Sequence, residues 1–282
     1  MSSGKVVLIT GCSEGGIGYA LADEYAHQGC KVYATARRLE AMDTFQHPNI
    51  KTLSLDVLSD EQVQAVVQRI VEQEGRIDIL VNNAGLNTAG ALADVPLATF
   101  QHTFDTNFFA VIRTFQAVFP HMAARKSGLI VNVGSVVGNT ATAWNGAYSS
   151  SKAALHRLTE VLYQECQAFN INVTLIVPAA VKSNVVKTVL KSGMVLPEYS
   201  LYKPYADAII KRVWLSQGAN ALRAEELAKM VVPKTLSSSP PRYMTMGGGV
   251  LMFRLFEWLP RTFLLNYLWR RFRGATGPLV QT

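Results

Sequence analysis

Six short, mostly apolar runs recur along this 282-residue chain, in alternation with stretches of helical spacing. They are Lys5–Thr10, Lys31–Ala36, Ile50–Leu55, Ile77–Val81, Leu129–Gly134 and Ile171–Val177. A strand with one wet face alternates apolar and polar residues; these runs do not, so both of their faces must be covered. Strands buried on both faces and joined through helices run parallel, and right-handed crossovers then give an α/β, doubly wound sheet of the Rossmann type.

The connecting segments agree with that reading. Helical spacing runs through Gln28, and again from Leu97 to Arg125 and from Asn145 to Phe169. Ser59 before Asp60 and Glu61 is an N-cap with a favourably charged first turn, and Val63, Val66, Val67 and Ile70 form the apolar stripe behind it. Ala224–Val232 reads as a further helix and Arg242–Met246 as a last strand. Between Ser183 and Gln217 the spacing weakens, and this segment is expected to cover the substrate. The expected division is a catalytic, dinucleotide-binding domain over 1–246 and a tail over 247–282.

Hydrophobic residues make up 49% of the chain, enough for a sizeable core. Cys12, Cys30 and Cys166 are scattered, with no C-x-x-C pair, which suits a reducing compartment and excludes a disulfide framework. Met1 to Lys5 leads straight into the first strand, leaving no room for a signal peptide, so a cytoplasmic protein is expected. A glycosylation sequon at Asn172-Val173-Thr174 falls in a buried strand and is read as chance. The five histidines are dispersed and no metal-binding spacing occurs.

The net charge of +7 is concentrated in the tail, where Arg242, Arg254, Arg261, Arg270, Arg271 and Arg273 face the single acid Glu257. No recognition helix, zinc spacing or aromatic-basic interleaving accompanies this charge, so nucleic acid is not the expected partner. Val250 to Phe272 is rich in Leu, Phe and Trp but is broken by Arg254, Glu257, Pro260 and Arg261. It is too interrupted to span a bilayer. Two short amphipathic pieces lying on an anionic membrane surface fit it, for example on the cytosolic face of the endoplasmic reticulum or a lipid droplet. Packing over the substrate pocket or against a second subunit fits it as well.

Chemistry concentrates at three places. Thr10 to Gly18 (TGCSEGGIG) lies between the first strand and helix, where Gly11, Ser13, Gly16, Ile17 and Gly18 can bring backbone and helix N–H groups to a pyrophosphate. Tight packing is the other use of such glycines. Arg37 and Arg38 follow the second strand, where a carboxylate would select NAD; two guanidiniums there suit the 2′-phosphate of NADP(H), or else a solvated loop. Asp56 either accepts from the adenine amino group or serves the turn before the next helix. Tyr148 and Lys152 are four residues apart on one helix face, thirteen residues after Ser135. A phenol is a useful acid at pH 7 only if a neighbouring cation lowers its pKa, and Lys152 can supply that charge. A second pair, Tyr199 and Lys203, has no such serine before it, and by itself the spacing also fits an ordinary amphipathic tyrosine.

The Thr10–Gly18 turn, Asn82-Asn83-Ala84-Gly85, Asn107, Ser135, Tyr148 with Lys152, and the Pro178–Ser183 turn occur in an order that resembles the short-chain dehydrogenase/reductase family along nearly the whole chain. Two departures stand out: the glycine turn is one residue longer than usual, and Ala179 replaces a glycine. The resemblance implies hydride transfer between NADP(H) and a carbonyl carbon, with Tyr148 as proton donor and Ser135 holding the carbonyl oxygen. Lys152 would bind the nicotinamide ribose and tune Tyr148, and Asn107 would anchor a water beside it. Asn83, Gly85, Val181 and Ser183 would line the cofactor. The family often forms dimers, so a homodimer is expected.

Within the family, the longer turn, Ala36-Arg37-Arg38-Leu39-Glu40 and the basic tail are similar to the 1-acyldihydroxyacetone phosphate reductases of fungi and plants. Pro240-Pro241-Arg242-Tyr243 is similar to 17β-hydroxysteroid dehydrogenases. A lipophilic ketone is the substrate this implies, with Lys182, Lys187, Lys191 and Lys203 as candidates for a phosphate head group. A steroid-like or polyketide ketone, and a non-catalytic NADP-binding sensor, are the alternatives.

Overall fold

The computed structural model describes residues 4–184 and 196–274. Seven strands form one parallel sheet in the order β3-β2-β1-β4-β5-β6-β9. They are β1 (Val6–Thr10), β2 (Lys31–Ala36), β3 (Ile50–Ser54), β4 (Ile79–Asn82), β5 (Gly128–Val133), β6 (Ile171–Pro178) and β9 (Tyr243–Met246). The doubly wound α/β expectation holds, with strand ends displaced by a residue or two. A separate pair, β7 (Val181–Lys182) and β8 (Leu222–Arg223), sits beyond the main sheet.

The continuous apolar runs pack on both faces, as their composition requires. On one side α1 (Ile17–His27) and α8 (Ala224–Thr235) meet Val7, Ile9, Val32, Ala34, Ile79 and Val81. On the other, α2 (Asp60–Glu74), α4 (Ala110–Arg125) and α6 (Gly146–Cys166) meet Val6, Leu8, Tyr33, Leu80 and Ile130. Ser59 caps α2 as expected, its Oγ accepting from the Gln62 amide at 3.2 Å, and Gly75 closes the helix at φ +73.

The core also holds a chain of polar side chains. Thr114 donates to Asn82 at 2.7 Å, Asn82 to Asn132 at 2.9 Å, and Asn132 to Thr159 at 3.0 Å. This chain ties α4, β4, β5 and α6 together directly behind the ends of the central strands. Thr174 of the sequon is fully buried in β6 and donates to the Pro241 carbonyl.

Three features depart from the sequence reading. The helical stretch from Leu97 to Arg125 is α3 (Leu97–Phe104) joined to α4 through a π-helical turn, Asp105–Phe109. A helix, α7 (Ala206–Trp214), lies within the segment whose spacing weakens. A one-turn helix, α5 (Val136–Asn139), starts at Ser135.

The tail does form two short helices, α9 (Val250–Phe256) and α10 (Arg261–Phe272), broken at Pro260. It is anchored as well as amphipathic. Phe256, Leu264 and Leu268 are buried together, Phe272 O accepts from Trp144 Nε1 at 2.9 Å, and Asn139 Nδ2 donates to Glu257 at 2.8 Å. No helix among the described residues is long and apolar enough to cross a membrane.

Candidate active site

The glycine turn sits at the C-terminal end of β1, facing the loop after β4. Thr10 Oγ1 accepts from the amides of Asn83 and Ala84, both at 3.1 Å, and Asn83 Nδ2 donates to the carbonyls of Thr10 and Gly11. The two loops are thereby fixed edge to edge. Gly11 stands at φ +75, and a Cβ on it would lie 2.7 Å from the Ala84 Cα. A Cβ on Gly18 would lie 2.6 Å from the Gly11 carbonyl and closer still to the Asn83 amide. Only glycine fits either position.

Ile17 is the first residue of α1 and Gly16 its N-cap, with no side chain capping the helix. The free N–H groups there open onto the exposed Ser13. The longer turn is braced from outside, because Glu14 N donates to Ala41 O at 2.8 Å and Asn184 Nδ2 donates to Glu14 O at 2.8 Å. Cys12 is no reactive thiol at a helix end. It is fully buried, points its sulfur at Ile9 O, and burial pushes its pKa up to about 12.

Arg37 and Arg38 are exposed at the end of β2, with no ion pair among the described residues. Asp56 takes the local role considered for it: Oδ1 accepts from Leu58 N at 3.0 Å in the turn before α2. Val181 is buried in β7 and Ser183 follows it, half-buried, beside the glycine turn. The glycine cradle, the open α1 N-terminus and the exposed arginines form a set whose chemistry fits a dinucleotide carrying an extra phosphate.

Beside that cradle, α6 presents Tyr148, Lys152 and His156 on one face, and α5 brings Ser135 over them. Lys152 is 4% exposed and donates from Nζ to the Val133 carbonyl at 2.7 Å. Burial lowers its pKa to about 8. Its Nζ lies 5.9 Å from the Tyr148 ring centroid. The expected lowering of the Tyr148 pKa does not appear in this geometry. Burial raises it above the usual phenol value, opposed first by the Ser135 hydroxyl and then by the Arg212 charge.

Asn107 lies in the π-helical turn and is completely buried. Its amide accepts from Leu86 N at 2.7 Å and donates to Leu86 O at 2.9 Å and Ser151 Oγ at 3.0 Å. The extra residue in the turn is what rotates Asn107 toward the β4 loop. Gly85 lies close by, and a Cβ on it would meet Asn107 Oδ1 at 3.2 Å, a tight contact.

Three further residues complete the site and escaped the sequence reading. His156 accepts from the Ser135 amide at Nε2 (3.2 Å) and pairs with Asn139 Oδ1 at Nδ1 (2.8 Å). Its spacing of four from Lys152, together with Gly134 and Gly138, was the available signal, because a Cβ on either glycine would run into the imidazole. Trp144 is buried with φ +66, an unfavourable conformation for so large a residue, and its ring meets those of Tyr202, Tyr205 and Trp269 edge-on or tilted at centroid distances of 5.5 to 5.8 Å. Arg212 of α7 is 8% exposed and donates to Thr142 at 3.1 Å; nothing in its sequence neighbourhood marks it. Among the candidate lysines, Lys182 and Lys203 are exposed, and Lys187 and Lys191 lie outside the described residues. Tyr199 is 78% exposed in a turn and Lys203 starts a separate short 3-10 helix, so the second Tyr-x-x-x-Lys does not share a helix face. No cluster of potential metal ligands occurs among the described residues.

Comparison with known proteins matches this arrangement to a class. The short chain dehydrogenase family matches residues 5–192, and the chain belongs to that family of oxidoreductases. The NADPH-dependent 1-acyldihydroxyacetone phosphate reductase of Schizosaccharomyces pombe is 38% identical over 214 residues, 75% of this chain and 72% of the relative. Short-chain dehydrogenase fogD of Aspergillus ruber is 32% identical over 274 residues, 96% of this chain and 94% of the relative. A crystal structure of a short-chain dehydrogenase from Streptomyces avermitilis superposes with a TM-score of 0.77 at 30% identity, covering 95% of this chain and 97% of that one.

Proposed function

We propose that this chain reduces the ketone of a lipophilic substrate with NADPH, and that 1-acyldihydroxyacetone phosphate is the substrate. The observation that carries the reading is the convergence of Ser135, Tyr148 and Lys152 beside a glycine cradle, with two exposed arginines where a carboxylate would follow β2. The likeness to the S. pombe reductase supports the substrate.

NADPH supplies the hydride. The chain's own residues handle the oxygen. Ser135 donates a hydrogen bond to the carbonyl oxygen as negative charge builds on it, and Tyr148 delivers the proton. A phenol with a raised pKa holds its proton until an alkoxide, a far stronger base, is formed beside it. Lys152, charged at pH 7 on its Val133 perch, favours the phenolate left behind. Asn107 positions rather than reacts, locking Leu86 against α6. The aromatic wall of Trp144, Tyr202, Tyr205 and Trp269 favours a second reading, a planar polyketide-like or steroid-like ketone.

The tail fits peripheral contact with an anionic bilayer. Leu251, Leu255, Trp258 and Phe263 are 59 to 87% exposed, in a tail that also exposes Arg254, Arg261, Arg270 and Arg271. Replacing Leu251, Leu255 and Trp258 together by serine should abolish co-sedimentation with phosphatidylserine vesicles. Undiminished binding would sink the membrane reading.

The test of the chemistry is NADPH oxidation with 1-palmitoyl-dihydroxyacetone phosphate, a steroid ketone and a polyketide-like ketone, for the native chain and Tyr148→Phe. Loss of about 10²–10⁴-fold in kcat, with NADPH binding kept, is expected for removing a general acid. Turnover of the other ketones alone would discard the acyl phosphate, and cofactor binding without any turnover would leave a sensor.

A further inference from the structure

Arg212 is a buried cation without an anion. It is 8% exposed, and no Asp or Glu among the described residues forms an ion pair with it. Residues 1–3, 185–195 and 275–282 contain no Asp or Glu. The side-chain counter-charge is therefore missing from the chain itself. Its neighbours are neutral. Nε donates to Thr142 Oγ1 at 3.1 Å, and the Asn145 amide, turned so that both its ends are satisfied, accepts from Nη2 at 2.7 Å. The guanidinium carbon sits 5.9 Å from the Phe272 ring centroid. A guanidinium offers five N–H donors, and these partners take two of them.

Holding such a group away from water is unfavourable unless it is paired. Burial lowers the Arg212 pKa to about 10, and the group that acts against this is Tyr148, the proton donor. Asn145, which accepts from Nη2, is the N-cap of α6 three residues before Tyr148, so the unused donors lie at the Tyr148 end of α6, beside the covering helix α7 and the end of α10.

We propose that Arg212 binds an oxyanionic substituent of the substrate, a phosphate monoester or a carboxylate carried within a few bonds of the ketone. This deepens the ketone-reductase reading and rests on it. It moves the anion site from the exposed Lys182 and Lys203 to one buried guanidinium. A planar bidentate donor in a dry site recognises phosphate or carboxylate far better than a solvated ammonium does. The Asn145 and Thr142 bonds hold the fork in place before the ligand arrives, and Phe272 ties its position to the docked tail.

The test uses the full chain with saturating NADPH and two substrates that differ only in charge, 1-palmitoyl-dihydroxyacetone phosphate and 1-palmitoyl-dihydroxyacetone. Arg212→Met should cut kcat/KM for the phosphate at least about 50-fold more than for the neutral ketone, the difference falling mostly on KM. Arg212→Lys, which keeps a charge in the same place, should recover part of the loss. A shift in the pH profile common to both substrates is expected from the Arg212 charge beside Tyr148; equal losses of kcat/KM on both substrates would mean that Arg212 serves only Tyr148 or the packing of α7 and would overturn the proposal. If the native chain reduces neither compound, the substrate assignment falls but the anion site is still decided by calorimetry of inorganic phosphate with the NADP⁺ complex. Binding lost in Arg212→Met upholds it, and equal or absent binding in both proteins overturns it.

Discussion

Lowering the pH should unfasten Ser135 through His156. The imidazole is 6% exposed and accepts from the Ser135 amide at Nε2, so its proton must sit on Nδ1, where it donates to Asn139 Oδ1. That geometry holds only for the neutral ring. Burial is the largest cause and the Lys152 charge the next in pushing the His156 pKa from 6.5 down to about 4, with Glu160 opposing. The unfolded chain takes up this proton near pH 6.5, while the folded chain refuses it until about pH 4. The stabilisation is therefore complete above pH 6.5 and is lost as pH falls toward 4. At pH 4.5 the loss from this one residue is roughly 2.5 kcal/mol, a large share of an ordinary domain's stability.

His156→Gln can keep an acceptor for Ser135 and a donor for Asn139 but does not titrate. Urea unfolding followed by tryptophan fluorescence, from pH 7.5 to 4.5, should show the native chain losing roughly 2.5 kcal/mol more than the variant. Carboxylates titrate alike in both proteins and cancel from the comparison. Parallel curves, within about 0.5 kcal/mol, would refute the neutral-histidine argument.

Three further outcomes follow from the geometry. Asn132→Ala leaves the buried Asn82 amide donor without its acceptor, so the unfolding free energy should drop by about 2–3 kcal/mol with an unchanged m-value in a denaturant titration. Replacing Arg37 and Arg38 together by serine should raise the KM for NADPH at least about tenfold and leave that for NADH within about twofold, since only the 2′-phosphate is lost as a partner; equal changes for both cofactors would place that phosphate elsewhere. Gly18→Ala puts a methyl group 2.6 Å from the Gly11 carbonyl, so fluorescence titration should show NADPH affinity falling by at least about tenfold, with a stability cost of about 1–3 kcal/mol.

What could be read from the sequence divides by the range of the interaction that determines it. The apolar runs and the Ser59 cap are set within a few residues, and the sheet and α2 formed accordingly. Tyr148 and Lys152 share a helix face, so a spacing rule found them. The π-helical turn is illegible because its i→i+5 bonding leaves the apolar pattern of Leu97–Arg125 nearly continuous; only the tertiary demand that Asn107 reach Leu86 selects it. Arg212 is harder still. It stands 64 residues beyond Tyr148 on a four-sided surface of α7 whose company comes from α6, the loop before it and the tail. A lone arginine near Lys211 in an amphipathic helix reads as a solvated charge. The tail shows both limits at once. Pro260 announced two short helices, but Trp144 Nε1 finding the Phe272 carbonyl could not be foreseen from either segment. A second link, Asn139 held between His156 and Glu257, runs an unbroken path from the tail to Ser135. The tail that exposes Trp258 and Phe263 is thus the same segment whose other contacts reach Ser135 through Asn139 and His156 and set Phe272 beside the Arg212 guanidinium.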